Sequence, residues 1–205
     1  MYTSASVPTP DWFSELLGPE LSQSQIAQLY GHYELLIRWN ERMNLTTVKP
    51  GAEMVTRHYC ESLFFGAHLP AAPETISVLD LGSGAGFPGI PMAILKPNWH
   101  VTLIESSQRK AVFLRESSRH LQNISVLAQR MESVSEQGDW VVARAVDPEE
   151  VLLNVPRLAP NVGLMLGEDD FSSIRGNKRI AWSEPVRLPW GDRKICVYGK
   201  VPRET

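Results

Sequence analysis

Val78-Leu-Asp-Leu-Gly-Ser-Gly-Ala-Gly-Phe-Pro-Gly-Ile-Pro91 decides the fold. An apolar run ends in a carboxylate, Asp80. Glycines follow at alternate positions, Gly82, Gly84 and Gly86, and Pro88 and Gly89 open a new apolar segment. Glycine is the residue that lets a backbone turn this tightly and come this close to a ligand. A strand that ends in such a loop and feeds a helix aims free N–H groups outward. That arrangement makes a site for a nucleotide-type cofactor at the carboxyl edge of a parallel sheet.

Downstream of the loop the pattern keeps alternating. Strands are expected at 76–79, 100–104, 124–127, 140–143 and 162–166, with a closing pair at 180–186 and 194–201. Helices are expected at 88–95, 108–120 and 148–155, the second with Val112, Phe113 and Leu121 on one side, and a weaker one at 171–174. Such alternation predicts an α/β fold with a doubly wound, mostly parallel, seven-stranded sheet and an antiparallel edge. Upstream, Ile26, Leu29, Tyr30, Tyr33, Leu36 and Ile37 recur at helical spacing to about Glu41, with Ser22 or Ser24 as cap. A second helix is expected over 53–65, a loop over 69–75 and a loose tail over 1–10. The chain therefore divides into an N-terminal helical cap, residues 1–70, and a cofactor-binding unit, residues 71–205.

Composition narrows the function. The 205 residues are 43% hydrophobic, enough for a packed core. Net charge is −3, so no global basic field draws nucleic acid, and an RNA site must be a local patch. Charge is uneven: no Lys or Arg precedes Arg38, whereas the chain from Glu168 onward carries six acids and eight bases. Cys60 and Cys196 lack metal-ligand spacing and read as buried apolar residues of a reducing compartment, so no metal is expected. No apolar run approaches the ~20 residues that span a bilayer. The start of the chain lacks a basic-then-apolar signal pattern, which points to a cytoplasmic protein.

Two cofactors fit the loop at first sight. Gly84-Ala-Gly-Phe-Pro-Gly89 satisfies the dinucleotide fingerprint and allows an NAD(P)-dependent oxidoreductase. Asp80 and Gly82, however, lie ahead of that frame, and D-x-G-x-G-x-G after a first strand is the usual first motif of class I S-adenosylmethionine (AdoMet) methyltransferases. Glu105 ends the second strand, 25 residues after Asp80, where a carboxylate can accept both hydroxyls of an adenosine ribose. Both cofactors need that acid. Gln129-Arg-Met-Glu132 follows the third strand, where adenine should lie, with Met131 offering an apolar surface and Glu132 a contact to the base edge. Arg144 closes the fourth strand and faces the same crevice.

Taken in order, these segments resemble the RsmG (GidB) family of bacterial ribosomal-RNA methyltransferases. The resemblance is carried by Trp39-Asn40 with Asn44-Leu45-Thr46, by Arg57-His58 with Ser62-Leu63, and by the whole Asp80–Pro91 loop. Glu105-Ser106 with Lys110 and Phe113-Leu114, Arg130 with Glu132, and Ala143-Arg144-Ala145 complete it. It spans about residues 25–167. It implies a Rossmann-like class I methyltransferase that uses AdoMet, releases S-adenosyl-L-homocysteine, and methylates N7 of guanine 527 in the 530 loop of 16S rRNA. It places Gly82, Phe87, Met131, Glu132 and Arg144 at the cofactor, to which the class adds Asp80, Gly84, Gly86 and Glu105. It also implies the small ribosomal subunit or its assembly intermediate as partner of a monomeric enzyme. Glu61 stands where the family usually has Asp, Met131 where Ala is usual, and Leu166 where Lys is common.

Guanine N7 bears a lone pair and no proton, so its methylation needs positioning rather than a general base. His58, Arg57 and Arg144 are accordingly candidates for positioning, and no catalytic dyad is expected. Arg38, Arg42, Lys49, Arg57 and Lys110 are candidates for gripping RNA. The rival readings are the oxidoreductase and a non-catalytic nucleotide- or RNA-binding module.

Overall fold

The computed structural model describes residues 9–17, 20–70, 74–190 and 193–202. The expected tail falls outside the described residues up to residue 8, and the expected 69–75 loop does so at 71–73.

A central sheet organises the chain. Its strands are β1 (Ser77–Leu81), β2 (His100–Ile104), β3 (Ile124–Leu127), β4 (Trp140–Arg144), β5 (Asn161–Gly167), β6 (Ala181–Trp182), β7 (Val186–Arg187) and β8 (Lys194–Lys200). Their order is β3-β2-β1-β4-β5-β8-β6, with β7 also on β8. The first five are parallel, and β8 runs antiparallel to β5 from Asn161↔Lys200 to Gly167↔Lys194. Among the described residues the sheet thus has eight strands, not the seven expected. The extra one arises because the segment opposite β8 is broken: Ala181–Trp182 pairs with Lys200 and Gly199, Val186–Arg187 with Cys196 and Ile195, and Pro185 intervenes. Proline has no N–H to give a ladder, so the strand stops and restarts.

Alternating residues on the strands feed two cores. Val78, Val101, Leu103, Val142 and Tyr198 face one way, and Leu79, Leu81, Val141, Leu164 and Val197 face the other. The second face is covered by α7 (Pro148–Leu158) and α8 (Glu168–Ile174). The first is covered by α5 (Gly89–Leu95) and α6 (Gln108–Ser118). On α6 the inward positions are Ala111, Phe113 and Leu114. Val112 is 51% exposed, against the expectation, because it projects between the two buried turns.

The N-terminal helices share this first core. They are α1 (Pro10–Leu17), α2 (Gln23–Met43), α3 (Ala52–Met54) and α4 (Glu61–Ala67). Ser22 starts α2 with a reciprocal capping box with Gln25, worth about 1 kcal/mol. Asn44 ends it in the left-handed conformation, φ 49°, a site asparagine tolerates. Between α3 and α4, Val55–Cys60 forms a π-helical segment inside one continuous helical run. Ordinary helix was expected there. Insertions of this kind widen the turn and change which backbone groups are free, and they recur at functional sites.

Candidate active site

The glycine loop is stapled to β2. The amides of Gly82 and Ser83 both donate to the Ile104 carbonyl, at 2.9 and 3.0 Å. The Ser83 hydroxyl donates to the Asp80 carbonyl and accepts from the Ile104 amide. Gly82, Gly84 and Gly86 all have positive φ, at 70°, 56° and 89°. They differ in what surrounds them. A Cβ on Gly82 would meet Val146 at 2.5 Å and one on Gly86 would meet Ile90 at 2.4 Å, whereas Gly84 has only the Gly82 carbonyl oxygen nearby, at 3.8 Å. Gly84 is therefore the glycine whose open side faces space a ligand can enter.

Asp80 lies beneath the loop, fully buried. One carboxylate oxygen accepts from the Gly89 amide at 3.1 Å, and the other has no protein partner. Burial raises its pKa to about 7, against the lowering effect of the Gly89 amide. Glu105 reaches the rim. Its two oxygens accept from Gly84 N at 3.0 Å and from Ser107 N at 2.8 Å. A carboxylate fastened to the half-buried, open-sided glycine of such a loop, next to an unpartnered acid oxygen, fits a nucleoside with a cationic amino-acid tail.

The cap reaches the loop through two histidines. His32, on the buried face of α2, contacts the Ala85 carbonyl at 3.1 Å and the Tyr59 hydroxyl at 2.7 Å. Burial lowers its pKa to about 4, so it is neutral. Phe87 packs edge-on against His32 and Tyr59 and stacks on His58 with centroids 4.7 Å apart. The pKa of His58 is lowered to about 3, by burial first and then by Arg144, Arg57 and Lys194. Its Nε2 meets the Thr46 hydroxyl at 2.7 Å, while Nδ1 is buried without a partner. Thr46 is set by Asn40, whose side chain accepts from Thr46 N and donates to Thr46 O. The Asn40, Thr46 and His58 positions thus form one hydrogen-bonded relay from α2 to the loop.

The π-helical segment meets β4 on the other side. Arg144 Nη2 donates to the Arg57 carbonyl at 2.6 Å and pairs with Glu61 at 3.1 Å. Glu61 is 1% exposed and also receives Lys194 Nζ at 3.0 and 3.1 Å. Arg144 Nη1 is buried without a partner. Ala145, next in the chain, is held at φ 55°, costly for a residue other than glycine. The turn sends Val146 against Gly82. A cleft of 390 Å³ opens here, its walls carrying Arg57, Arg144, Arg193 and Lys194 among Glu61, Glu168, Asp169 and Asp170, with Ala145, Val146 and Gly167. Through Val146 it adjoins the glycine loop. Arg57 itself is half exposed and paired with Glu53.

Met131 and Glu132 sit on a short 3-10 turn after β3, Met131 half-buried and Glu132 exposed. Arg157 on α7 holds that turn, donating to the carbonyls of Met131 and Val134. Glu132 shares a hydrogen bond with Glu150 that raises the pKa of Glu150. The structure thus gathers Gly82, Gly84, Gly86, Phe87, Glu105, His58 and Arg144 around one region, with Asp80 beneath it and Met131–Glu132 one strand farther out. Among the described residues no group of His, Cys, Asp and Glu is placed to hold a metal. Nor, among the described residues, is any helix long and apolar enough to cross a membrane.

Sequence reasoning missed His32, Lys194 and Arg157. His32 had a signal, because it falls between Leu29 and Leu36 on the buried face of α2. Lys194 had none, since only strand pairing brings it to Glu61.

Comparison with known families decides what kind of loop this is. The GidB profile, described as rRNA small subunit methyltransferase G, matches residues 25–169. The chain belongs to the GidB family. A ribosomal RNA small subunit methyltransferase G from Xanthomonas axonopodis pv. citri is 41% identical over 198 residues, covering 90% of this chain and 92% of the relative. One from Chloroflexus aggregans is 34% identical, covering 90% and 85%. In fold, the chain is similar to ribosomal protein L11 methylase from Lactobacillus delbrueckii subsp. bulgaricus (TM-score 0.57, 16% identity, covering 72% of this chain and 79% of that one). It is also similar to Aeropyrum pernix fibrillarin in complex with natively bound S-adenosyl-L-methionine (TM-score 0.52, 16% identity, 68% and 73%). Membership of GidB makes the glycine loop that of a methyltransferase and does not favour the oxidoreductase reading.

Proposed function

We propose that this GidB member methylates N7 of guanine 527 in the 530 loop of 16S rRNA with AdoMet, releasing S-adenosyl-L-homocysteine. The observation that carries it is the cleft of Arg57, Arg144 and Lys194 directly beside the glycine loop of a chain in this family. AdoMet supplies an electrophilic methyl group on a cationic sulfur. Glu105 would hold the ribose hydroxyls, the open backbone at Gly84 the amino-acid end, and Met131 with Glu132 the adenine. Gly82 and Gly86 shape the loop, and Phe87 and Asp80 support it from below.

For the substrate base, the cleft offers Arg57, Arg144 and Lys194, with Glu61 committed to Arg144 and Lys194 and the carboxylates Glu168, Asp169 and Asp170 also on its walls. His58 is held neutral and occupied by Thr46, and the Arg144 guanidinium is fixed by Glu61 and the Arg57 carbonyl. Guanine N7 needs no deprotonation, so a cleft with a rigidly held guanidinium matches its requirement: an acceptor edge held in line. Arg57, His58 and Arg144 are positioning residues in this reading. The partner is 16S rRNA within the small ribosomal subunit or an assembly intermediate, met in the cytoplasm by a monomer whose residues 1–70 form a cap on the methyltransferase domain, 71–205.

Labelled AdoMet, small subunits from cells lacking this methyltransferase, and chain cleavage at N7-methylguanine test the proposal. Cleavage at guanine 527 is expected. Label on another base, or calorimetric binding of NAD without AdoMet, sinks it.

A further inference from the structure

A second groove, of 530 Å³, lies between the end of α2 and the start of α6, away from the cleft just described. Arg38, Trp39, Arg42 and Arg109 form most of it, with Glu41 and Met43. All three arginines are exposed, and among the described residues none is ion-paired with a carboxylate; Arg38 makes one long contact to the Glu34 carbonyl. Arg57, Arg119, Arg187 and Arg193 are ion-paired, while exposed Arg115, Arg130, Arg175 and Arg179 have no carboxylate partner among the described residues and lie elsewhere on the surface. This groove differs in gathering three unpaired arginines together. In a protein of net charge −3, three guanidinium groups against the single carboxylate of Glu41 in one groove leave a local field of the opposite sign.

The groove is built on rigid supports. Trp39 is half-buried and packs on Phe113 of α6 at 5.6 Å, which fixes the spacing of the two helices. Arg38 and Arg42 are one helical turn apart and share a face. Arg109 is the second residue of α6, four residues beyond Glu105, so the groove borders the cofactor edge of the sheet. Asn40, beside Trp39, starts the relay that ends at His58. Guanidinium forks match phosphate oxygens and stay charged at any physiological pH.

We propose that this groove is the phosphate-binding surface for the single-stranded RNA flanking the target guanine. Arg38, Arg42 and Arg109 each take a backbone phosphate, and the exposed part of the Trp39 indole gives a neighbouring base a surface to stack on. The inference rests on the rRNA methyltransferase reading and adds where the strand runs.

The test combines Arg38→Ala, Arg42→Ala and Arg109→Ala. Binding to 16S rRNA is followed as salt rises, alongside methyl transfer and AdoMet titration. The slope of log K against log salt should fall by about 2, since each single-strand phosphate contributes roughly 0.7, with KM for RNA up by at least about tenfold. AdoMet affinity should hold, and lysine at all three positions should restore most of the binding. If wild type methylates the rRNA while the triple variant keeps its slope and KM, the groove assignment is overturned and the function stands. If wild type transfers no methyl to small-subunit rRNA, the underlying reading falls. A variant that fails on assembled particles yet binds free rRNA normally would assign the groove to a ribosomal protein, which also overturns the proposal.

Discussion

The glycine loop and the π-helical segment both present backbone to the same region, and they are specified in opposite ways. The loop is written in residue types. Positive φ at 82, 84 and 86 and the crowding at Val146 and Ile90 leave glycine as the residue that fits. The π-helical segment has no such signature in Val55-Thr-Arg-His-Tyr-Cys60. It is specified by what docks on it: Arg144 takes the Arg57 carbonyl, and Tyr59 reaches back to His32. One half of the site is encoded locally, and the other exists only once β4, α2 and the loop have assembled.

That contrast can be broken at its tertiary side first. Glu61→Gln removes the buried charge that Arg144 and Lys194 share. It should cost about 3–5 kcal/mol in denaturant unfolding, because two cations then lack their counter-charge. A loss below about 1 kcal/mol would mean the three behave as an exposed ion pair. The local side is sharpened by Gly84→Val. Its Cβ enters open space, so folding should lose only the ~1–2 kcal/mol of left-handed strain. AdoMet affinity should fall at least about 100-fold, more than 2.7 kcal/mol of binding; unchanged affinity by calorimetry would remove Gly84 from the cofactor site.

The smallest effect sits where the two halves meet. His32 has a folded pKa of about 4 against an ordinary value near 6.5. Between those values the unfolded chain binds the proton and the folded one does not, so stability is lost as pH falls from about 6.5 toward 4. From pH 7 to 5 this is about 2 kcal/mol. His58 acts with the same sign. Asp80, raised to about 7, acts with the opposite one, adding stability as pH falls through 7. The informative quantity is therefore the difference between wild type and His32→Asn. The variant should lack about 2 kcal/mol of acid sensitivity, and parallel pH profiles would show that His32 is not the buried neutral link between cap and loop.

The same division explains what could be read from sequence. β2 and β3 were legible to the residue, because short apolar runs between turn residues have little freedom in a parallel sheet. The Asp80–Pro91 loop was legible because backbone geometry selects glycine directly. The motif residues Asn40, Thr46 and His58 could be recognised as a set, but nothing in their spacing shows that they form a relay. Arg109 reads as an ordinary helix-surface arginine until α6 is laid beside α2. Val112 was misplaced because two neighbouring apolar residues compete for one helix face, and Phe113 wins it by packing against Trp39 and His32.

The interrupted strand opposite β8 bears on how the protein meets its neighbours. A long free edge of paired-strand backbone is an invitation to aggregate with any other extended chain. Here one edge is offered in two-residue pieces around Ser183-Glu184-Pro185, and the other, β3, has four residues. Neither is a template for adding a strand. Edges of this kind ignore extended chains, so that side-chain charge rather than backbone adhesion selects what the protein holds.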